Sequence, residues 1–199
     1  MGDRERREGS ANEPGKFDAS RWRALLDERR RQRWQPLDFL AMTGVSAGQV
    51  AVDLGSGPGF WTLPLAQLVG ESGTVWAIDS SQEMLAALAD GRPPAQVRLL
   101  PADLPAIPLA DAVADFAWAA FVFHEVAPPE RLAEEARRVL RPGGRLAVLD
   151  WRPESTGKQG PPPAHRLAAD HVVAMLRRVG FTTATQRWSD ADTYLVVAE

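Results

Sequence analysis

Three glycines at alternate positions follow an apolar run that predicts a β-strand. Residues 51–61 read AVDLGSGPGFW, which places Gly55, Gly57 and Gly59 directly after that strand. Glycine at this density increases the entropy that the backbone loses on folding, so it is expected only where the absence of side chains allows a close approach to the backbone. The sequence therefore predicts a strand followed by a loop that another molecule approaches closely.

Strands and helices alternate along most of the chain. Apolar runs predict strands over 49–54, 73–79, 95–100, 113–120 and 145–151. Helical periodicity predicts helices over 59–69, 80–90, 128–140 and within 164–180. Two further strand-like runs, 182–188 and 192–199, stand too close together for a crossover and must form a hairpin. We therefore predict an α/β fold: a doubly wound, mostly parallel seven-stranded sheet with helices on both faces and a C-terminal antiparallel hairpin.

The chain before the first strand divides into a tail and a helical segment. Residues 1–15 are charged and predict a disordered tail, and residues 16–199 predict a single domain. Within it, residues 16–46 predict a helical segment that forms a lid over the ligand site, although its tryptophans, Trp22 and Trp34, are equally compatible with core packing. An arginine run over 29–33 is compatible with an anionic ligand, but a solvated helix face is the favoured interpretation.

Composition excludes several classes of function. The chain has no cysteine, which excludes disulfides, cysteine nucleophiles and thiolate metal sites. Its three histidines, His124, His165 and His171, lack the spacing of a zinc site, so we predict no metal. A formal net charge of −3 gives no reason to expect nucleic acid or membrane as a partner. The N-terminus has no apolar run typical of a signal peptide, so a cytoplasmic location is expected, and the sequence leaves the oligomeric state open.

The loop pattern favours an amino-acid group on a nucleoside over a pyrophosphate. The spacing is G-x-G-x-G, and Phe60 stands where the dinucleotide pattern has its third glycine. Pro58 has no N–H to offer a phosphate. Asp79 ends the second predicted strand, where it can accept hydrogen bonds from both ribose hydroxyls, a feature shared with NAD sites. Asp103 follows the third strand, where it can accept from an adenine amino group, or alternatively form a turn.

Taken together, these motifs resemble those of class I S-adenosylmethionine-dependent methyltransferases, which have a Rossmann-like fold. The matching stretches are VAVDLGSGPGFWTLPLA, VWAIDSSQEML, PADLPAIPLADAVADFAWAAFVFHEV and VLRPGGRLAVLDW. Within the family, the chain is similar to the ubiquinone and menaquinone biosynthesis methyltransferases and to the arsenite methyltransferases. It departs from them at Ala119 and Ala120, where a Ser-Asn pair is usual, and its lack of cysteine argues against arsenite methylation.

The resemblance implies S-adenosyl-L-methionine as the cofactor and assigns its contacts. Gly55, Ser56 and Gly57 would lie against its methionine end, and Asp53 would orient the loop. Asp79 would bind the ribose. The adenine would be flanked by Ser80, Met84, Asp103 and Leu104, with core packing as the alternative for Met84. Ser80 is also expected to cap the helix over 80–90, because Glu83 completes a capping box.

The expected reaction is methyl transfer to a small-molecule acceptor. His124, just beyond the fourth strand, is the candidate general base, with hydrogen bonding to its own loop as the alternative. The proline-rich loop 152–166 is expected to cross the site, with Arg166 fastening it to the domain or meeting a substrate. Two other functions stay open: a methyltransferase-like protein that binds the cofactor without catalysis, and an NAD(P)-dependent oxidoreductase.

Overall fold

One seven-stranded sheet, in the order β3-β2-β1-β4-β5-β7-β6, organises the chain in the computed structural model, which describes residues 17–157 and 159–199. The predicted tail, 1–15, lies outside the described residues. The strands are β1 Val50–Leu54, β2 Thr74–Asp79, β3 Val97–Pro101, β4 Ala114–Ala120, β5 Leu140–Trp151, β6 Ala184–Ser189 and β7 Thr193–Ala198. Strands β1 to β5 are parallel, whereas β7 pairs antiparallel with both β5 and β6. The predicted doubly wound sheet with a C-terminal antiparallel hairpin is confirmed.

Six α-helices connect or flank these strands. They are α1 Glu28–Trp34, α2 Pro36–Ala41, α3 Thr62–Val69, α4 Gln82–Asp90, α5 Pro129–Val139 and α6 Ala169–Arg178. Three 3-10 helices, Ala19–Leu26, Phe123–Glu125 and Pro163–His165, complete the regular structure of the described residues. No helix within those residues is long and apolar enough to cross a membrane.

Two buried layers cover the two faces of the sheet. Successive residues of a strand point to opposite faces, so Val148 of β5 joins one layer and Leu149 joins the other. The first layer includes side chains of α5 and α6, and the second includes side chains of α1, α2 and α3. Trp34 is buried in the second layer, which supports the core-packing interpretation of this residue.

Three of the differences between predicted and observed boundaries have a local cause. The expected N-terminal helix is divided at Asp27, whose side chain accepts a hydrogen bond from the Arg29 N–H and so begins α1 as a new helix. Helix α4 is capped by Ser81 rather than Ser80, because it is the Ser81 hydroxyl that accepts from the Met84 N–H. Strand β5 begins at Leu140, with a change of register before Arg145 that accommodates the turn residues of RPGG.

The loop after β5 is fastened by a buried guanidinium. Arg166 is only 8% exposed and donates to the carbonyl oxygens of Pro161, Arg152, Ser155 and Gln159 at 2.8 to 3.2 Å. Its cation also lies 5.9 Å from the ring centroid of Trp151. These contacts match the fastening interpretation of Arg166, since all its recorded hydrogen bonds go to backbone of the loop itself.

Replacing Arg166 by Met should release this loop. The variant removes a buried guanidinium and leaves four loop carbonyl groups without its donors, so we expect the free energy of unfolding to fall by about 2 kcal/mol. Urea denaturation measures this, and limited proteolysis by thermolysin should cleave faster within 152–165. Arg178→Met, which changes a mostly exposed arginine on α6, is the control. Equal stability and equal cleavage of the two variants would show that Arg166 does not hold the loop.

Candidate functional site

The glycine loop follows β1 at the carboxyl edge of the sheet. Gly57 and Gly59 have φ angles of 53° and 94°, a region that residues with a side chain rarely adopt. A Cβ at Gly59 would overlap the side chain of Leu88 in α4, whereas at Gly57 its nearest neighbours would be Leu25 at 3.7 Å and Met84 at 4.0 Å. Gly59 is therefore needed for packing, and Gly57 leaves bare backbone facing the N-terminal 3-10 helix.

The carboxylate of Asp79, the last residue of β2, holds this loop in place. One oxygen accepts from the Gly57 N–H at 2.8 Å and the other from the Ser81 N–H at 2.8 Å. Burial raises the pKa of Asp79, although both of these hydrogen bonds oppose the shift. Each carboxylate oxygen retains a further lone pair, so Asp79 can accept additional hydrogen bonds beside the loop.

Two polar groups are buried at the start of the loop. The hydroxyl of Ser56 has no hydrogen-bond partner among the described residues. Asp53 is buried and accepts from the Thr62 hydroxyl at 2.6 Å, at the first residue of α3. Burial raises the pKa of Asp53 to about 7; the Thr62 bond lowers it, and the charge of Asp79 adds to the rise. Asp53 thus connects the end of β1 to the helix that follows the loop.

The other predicted cofactor residues divide into two that lie against the loop and two that are exposed. Met84 and Leu104 lie against the loop, since Leu104 is 3.8 Å from where a Gly55 Cβ would stand. Val122, which was not predicted, covers Gly55 from the end of β4. Ser80 and Asp103 are exposed, and the backbone carbonyl of Asp103 accepts from the Ala106 N–H as in a turn. The structure thus brings Met84 and Leu104, but neither Ser80 nor Asp103, into contact with the loop.

His124 lies just after β4 in the chain and contacts a buried carboxylate. Its Nδ1 is 2.7 Å from Oδ1 of Asp150, which also accepts from the Trp151 N–H at 2.8 Å. Asp150 is fully buried, and only 4% of the His124 side chain is exposed. Burial lowers the pKa of His124, but the charge and the hydrogen bond of Asp150 outweigh it, so the net shift is upward.

A second carboxyl group faces the other ring nitrogen. Glu125 Oε1 lies 3.9 Å from His124 Nε2, beyond hydrogen-bond distance. The same oxygen accepts from the Phe17 N–H at 3.1 Å, which connects the N-terminal segment to the region beyond β4. Burial raises the pKa of Glu125 to about 7, while the charge of His124 opposes the rise.

Phe121, which follows the last residue of β4, is in contact with a second aromatic side chain and near an arginine. Phe121 has a φ angle of 60°, a strained conformation for a residue with a side chain, and its ring centroid lies 4.8 Å from that of Trp151. The guanidinium carbon of Arg30 lies 5.3 Å from the Phe121 ring and 4.8 Å from the Phe60 ring. The solvated-face prediction is right for Arg29 and Arg31 but wrong for Arg30, whose Nε is buried.

Comparison with known proteins identifies the family. Residues 52–148 match the model of a methyltransferase domain. An S-adenosylmethionine-dependent methyltransferase from Aquifex aeolicus superposes with a TM-score of 0.85 and is 32% identical, with coverage of 92% of this chain and 98% of that one. An uncharacterized transposon protein of Streptomyces fradiae is 44% identical over 52% of this chain, and the ubiquinone/menaquinone biosynthesis C-methyltransferase UbiE of Azotobacter vinelandii is 34% identical over 61%.

These matches differ in how much of each relative's length they cover. The aligned region spans only 31% of the Streptomyces protein and 49% of the Azotobacter enzyme, so neither relative is matched over its whole length. The Aquifex protein, in contrast, is covered over almost its whole length, at 32% identity and with the same fold. The chain therefore belongs to the class I S-adenosylmethionine-dependent methyltransferases, and S-adenosylmethionine is its cofactor.

Proposed function

We propose that this protein transfers a methyl group from S-adenosylmethionine to a small-molecule acceptor, with the cofactor bound at the glycine loop. The observation that supports this most directly is the contact of Asp79 with the Gly57 N–H. It places a carboxylate beside bare backbone at the carboxyl ends of β1 and β2, where ligands bind in doubly wound sheets. The sheet order makes the neighbouring crevice between β1 and β4 the topological switch point.

The residues around the loop fit this cofactor. Ser56 offers a buried hydroxyl that has no partner among the described residues, and Gly57 has no side chain, so that of these residues only Leu25 and Met84 lie within 4 Å of where its Cβ would be. In the proposed arrangement Asp79 accepts from the ribose hydroxyls, while the Gly55–Gly57 backbone and Ser56 contact the methionine end. Met84 and Leu104 flank the adenine, with Ser80 and Asp103 at its solvent side. Asp53 positions the loop through Thr62.

The N-terminal segment serves as a lid in this proposal. Leu25 lies over the Gly57 position, and Phe17 is tied to Glu125 beyond β4. The segment thereby covers the loop at Gly57, reaches the region beyond β4 and restricts the access of water. When bound, the cofactor supplies a methyl group already activated on a sulfonium, so the protein mainly needs to align the acceptor in a dry site.

His124 is the proposed general base for an acceptor that must lose a proton. Asp150 supports this role because its contact with Nδ1 favours the tautomer in which Nδ1 carries the hydrogen. Nε2 is then the basic nitrogen, and no described residue lies within hydrogen-bond distance of it. The acceptor itself stays open; a quinone precursor is the first candidate by analogy with the UbiE relative.

Two alternatives compete with this proposal. A protein that binds the cofactor without catalysis would retain the loop and Asp79 but have no use for His124. An NAD(P)-dependent oxidoreductase is disfavoured because Phe60, at the position of the third dinucleotide glycine, is buried against Trp61 with ring centroids 5.1 Å apart. The cytoplasmic location and the lack of a nucleic-acid partner stay predictions.

Calorimetry and a transfer assay test the proposal together. S-adenosylhomocysteine should bind with a dissociation constant in the micromolar range and NADH should not bind. A screen of phenols, quinols, acids and amines with methyl-labelled cofactor should then yield a labelled product. Binding of NADH alone would overturn the proposal, and binding of S-adenosylhomocysteine without any transfer would favour the non-catalytic alternative.

Asp79→Asn should weaken the binding of S-adenosylhomocysteine by about tenfold to a hundredfold, because charge-assisted hydrogen bonds to the ribose are lost. The 2′-deoxy analogue separates this effect from a disordered loop: wild type should prefer the ribose form, and the variant should lose that preference. Glu83→Gln, an exposed change in the first turn of α4, is the control and should bind as wild type does. An unchanged preference in Asp79→Asn would contradict the ribose contact.

His124→Gln and Asp150→Asn should each lower kcat by about a hundredfold or more while leaving S-adenosylhomocysteine affinity unchanged. In wild type, activity should fall as the pH drops through the pKa of His124, because the neutral imidazole is the base. Removing the Asp150 charge lowers that pKa, so the residual activity of Asp150→Asn should persist to lower pH.

The exposed His171 provides the matched control. His171→Gln should keep the wild-type kcat and pH profile. If His124→Gln also kept them, His124 would not be the base, and its contact with Asp150 would be structural.

A further inference from the structure

The guanidinium of Arg30 lies against two aromatic rings beside the crevice between β1 and β4. The Arg30 guanidinium lies between the rings of Phe60 and Phe121, at 4.8 Å and 5.3 Å from their centroids. Phe60 directly follows the last glycine of the loop, and Phe121 directly follows β4. Because β1 and β4 are adjacent and their connections leave in opposite directions, Arg30 stands at the topological switch point, where this class of sheet binds ligands.

The charge of Arg30 has no counter-charge in the described part of the chain. Its Nε is buried without a hydrogen-bond partner, and no carboxylate within residues 17–157 and 159–199 is paired with it. The charge that contributes to its pKa shift is that of Arg33, which has the same sign. Burial, with a smaller contribution from Arg33, lowers the pKa of Arg30 to about 10, so the group is still protonated at neutral pH.

Aromatic contacts alone do not compensate for this burial. Aromatic rings attract a cation but offer its N–H groups no oxygen acceptor, and the Arg30 Nε is buried without one among the described residues. The planar guanidinium is best compensated by a carboxylate, which it binds through two parallel N–H···O bonds. The partly exposed guanidinium can therefore accept an anion from a ligand, and a carboxylate has the matching geometry.

We propose that Arg30 binds the carboxylate at the amino-acid end of the cofactor, an inference that rests on the proposed function. The two charges at this edge of the sheet lie on opposite sides of the glycine loop: Asp79 ends β2, and Arg30 stands between β1 and β4. A ligand with hydroxyl donors at one end and a carboxylate at the other is held in one direction by this arrangement. The reverse direction would place the carboxylate beside Asp79 and leave Arg30 unpaired.

A pair of ligands that differ only in the carboxylate tests the proposal. S-adenosylhomocysteine and S-adenosyl-3-thiopropylamine, its decarboxylated analogue, are titrated calorimetrically into wild type and Arg30→Gln. Wild type should bind the carboxylate form about tenfold to a hundredfold more tightly, and the variant should bind the two forms within about threefold of each other. The affinity of the variant for the decarboxylated analogue should stay near that of wild type, which also shows that the variant is folded.

Arg29→Gln is the matched control, since Arg29 is exposed on the same helix and should retain the full preference for the carboxylate form. Arg30→Lys should recover part of the preference through its charge. If Arg30→Gln kept the wild-type ratio, the inference would be overturned while the proposed function stood. If wild type bound neither ligand, the proposed function would fail as well.

Discussion

The hydrogen bond between the Asp79 carboxylate and the Gly57 N–H determines the position of the whole site. It joins the end of β2 to the loop that follows β1, and the N–H groups of Gly55 and Ser56 reinforce the junction by donating to the Ile78 carbonyl. The same carboxylate also accepts from the N–H of Ser81, the N-cap residue of α4. Two neighbouring parallel strands are thus joined at their carboxyl ends by a charged group that still has lone pairs to offer.

Charged groups of opposite sign lie on the two sides of this junction, so a ligand whose two ends differ is favoured in one orientation. Asp79 lies beside β2, and Arg30 lies between β1 and β4 over two aromatic rings. Asp150 and Trp151 end β5 with side chains on opposite faces, so Asp150 reaches His124 while Trp151 packs on Phe121. The N-terminal segment covers the loop through Leu25 and contacts Glu125 through Phe17. In the proposed function, these elements orient the cofactor, exclude water and hold a base.

The sequence predicts those features that depend on neighbouring residues. The glycine spacing and the acid at the end of the second strand predict the loop and its partner because both follow from the order of strands in a doubly wound sheet. The cap of α4 is misassigned by one residue, since Ser80 and Ser81 are both competent caps and only the backbone path selects between them. Strand β5 begins earlier than predicted because pairing with β4 overrides the turn residues.

Contacts between distant residues were not predictable in the same way. Nothing local distinguishes Arg30 from Arg29 or Arg31; only the docking of α1 over Phe60 and Phe121 buries its Nε. The His124–Asp150 contact joins residues that are 26 positions apart, through the adjacency of β4 and β5. The adjacency of β4 and β5 is the feature from which this contact could have been predicted, since acids and bases at the ends of neighbouring parallel strands meet at the same edge of the sheet.

A crystal structure of the complex with S-adenosylhomocysteine tests the central claim most directly. The account predicts that the ribose hydroxyls lie within hydrogen-bond distance of Asp79, with the homocysteine portion along the Gly55–Gly57 backbone. A ligand bound elsewhere, or one whose ribose is turned away from Asp79 into solvent, would contradict it.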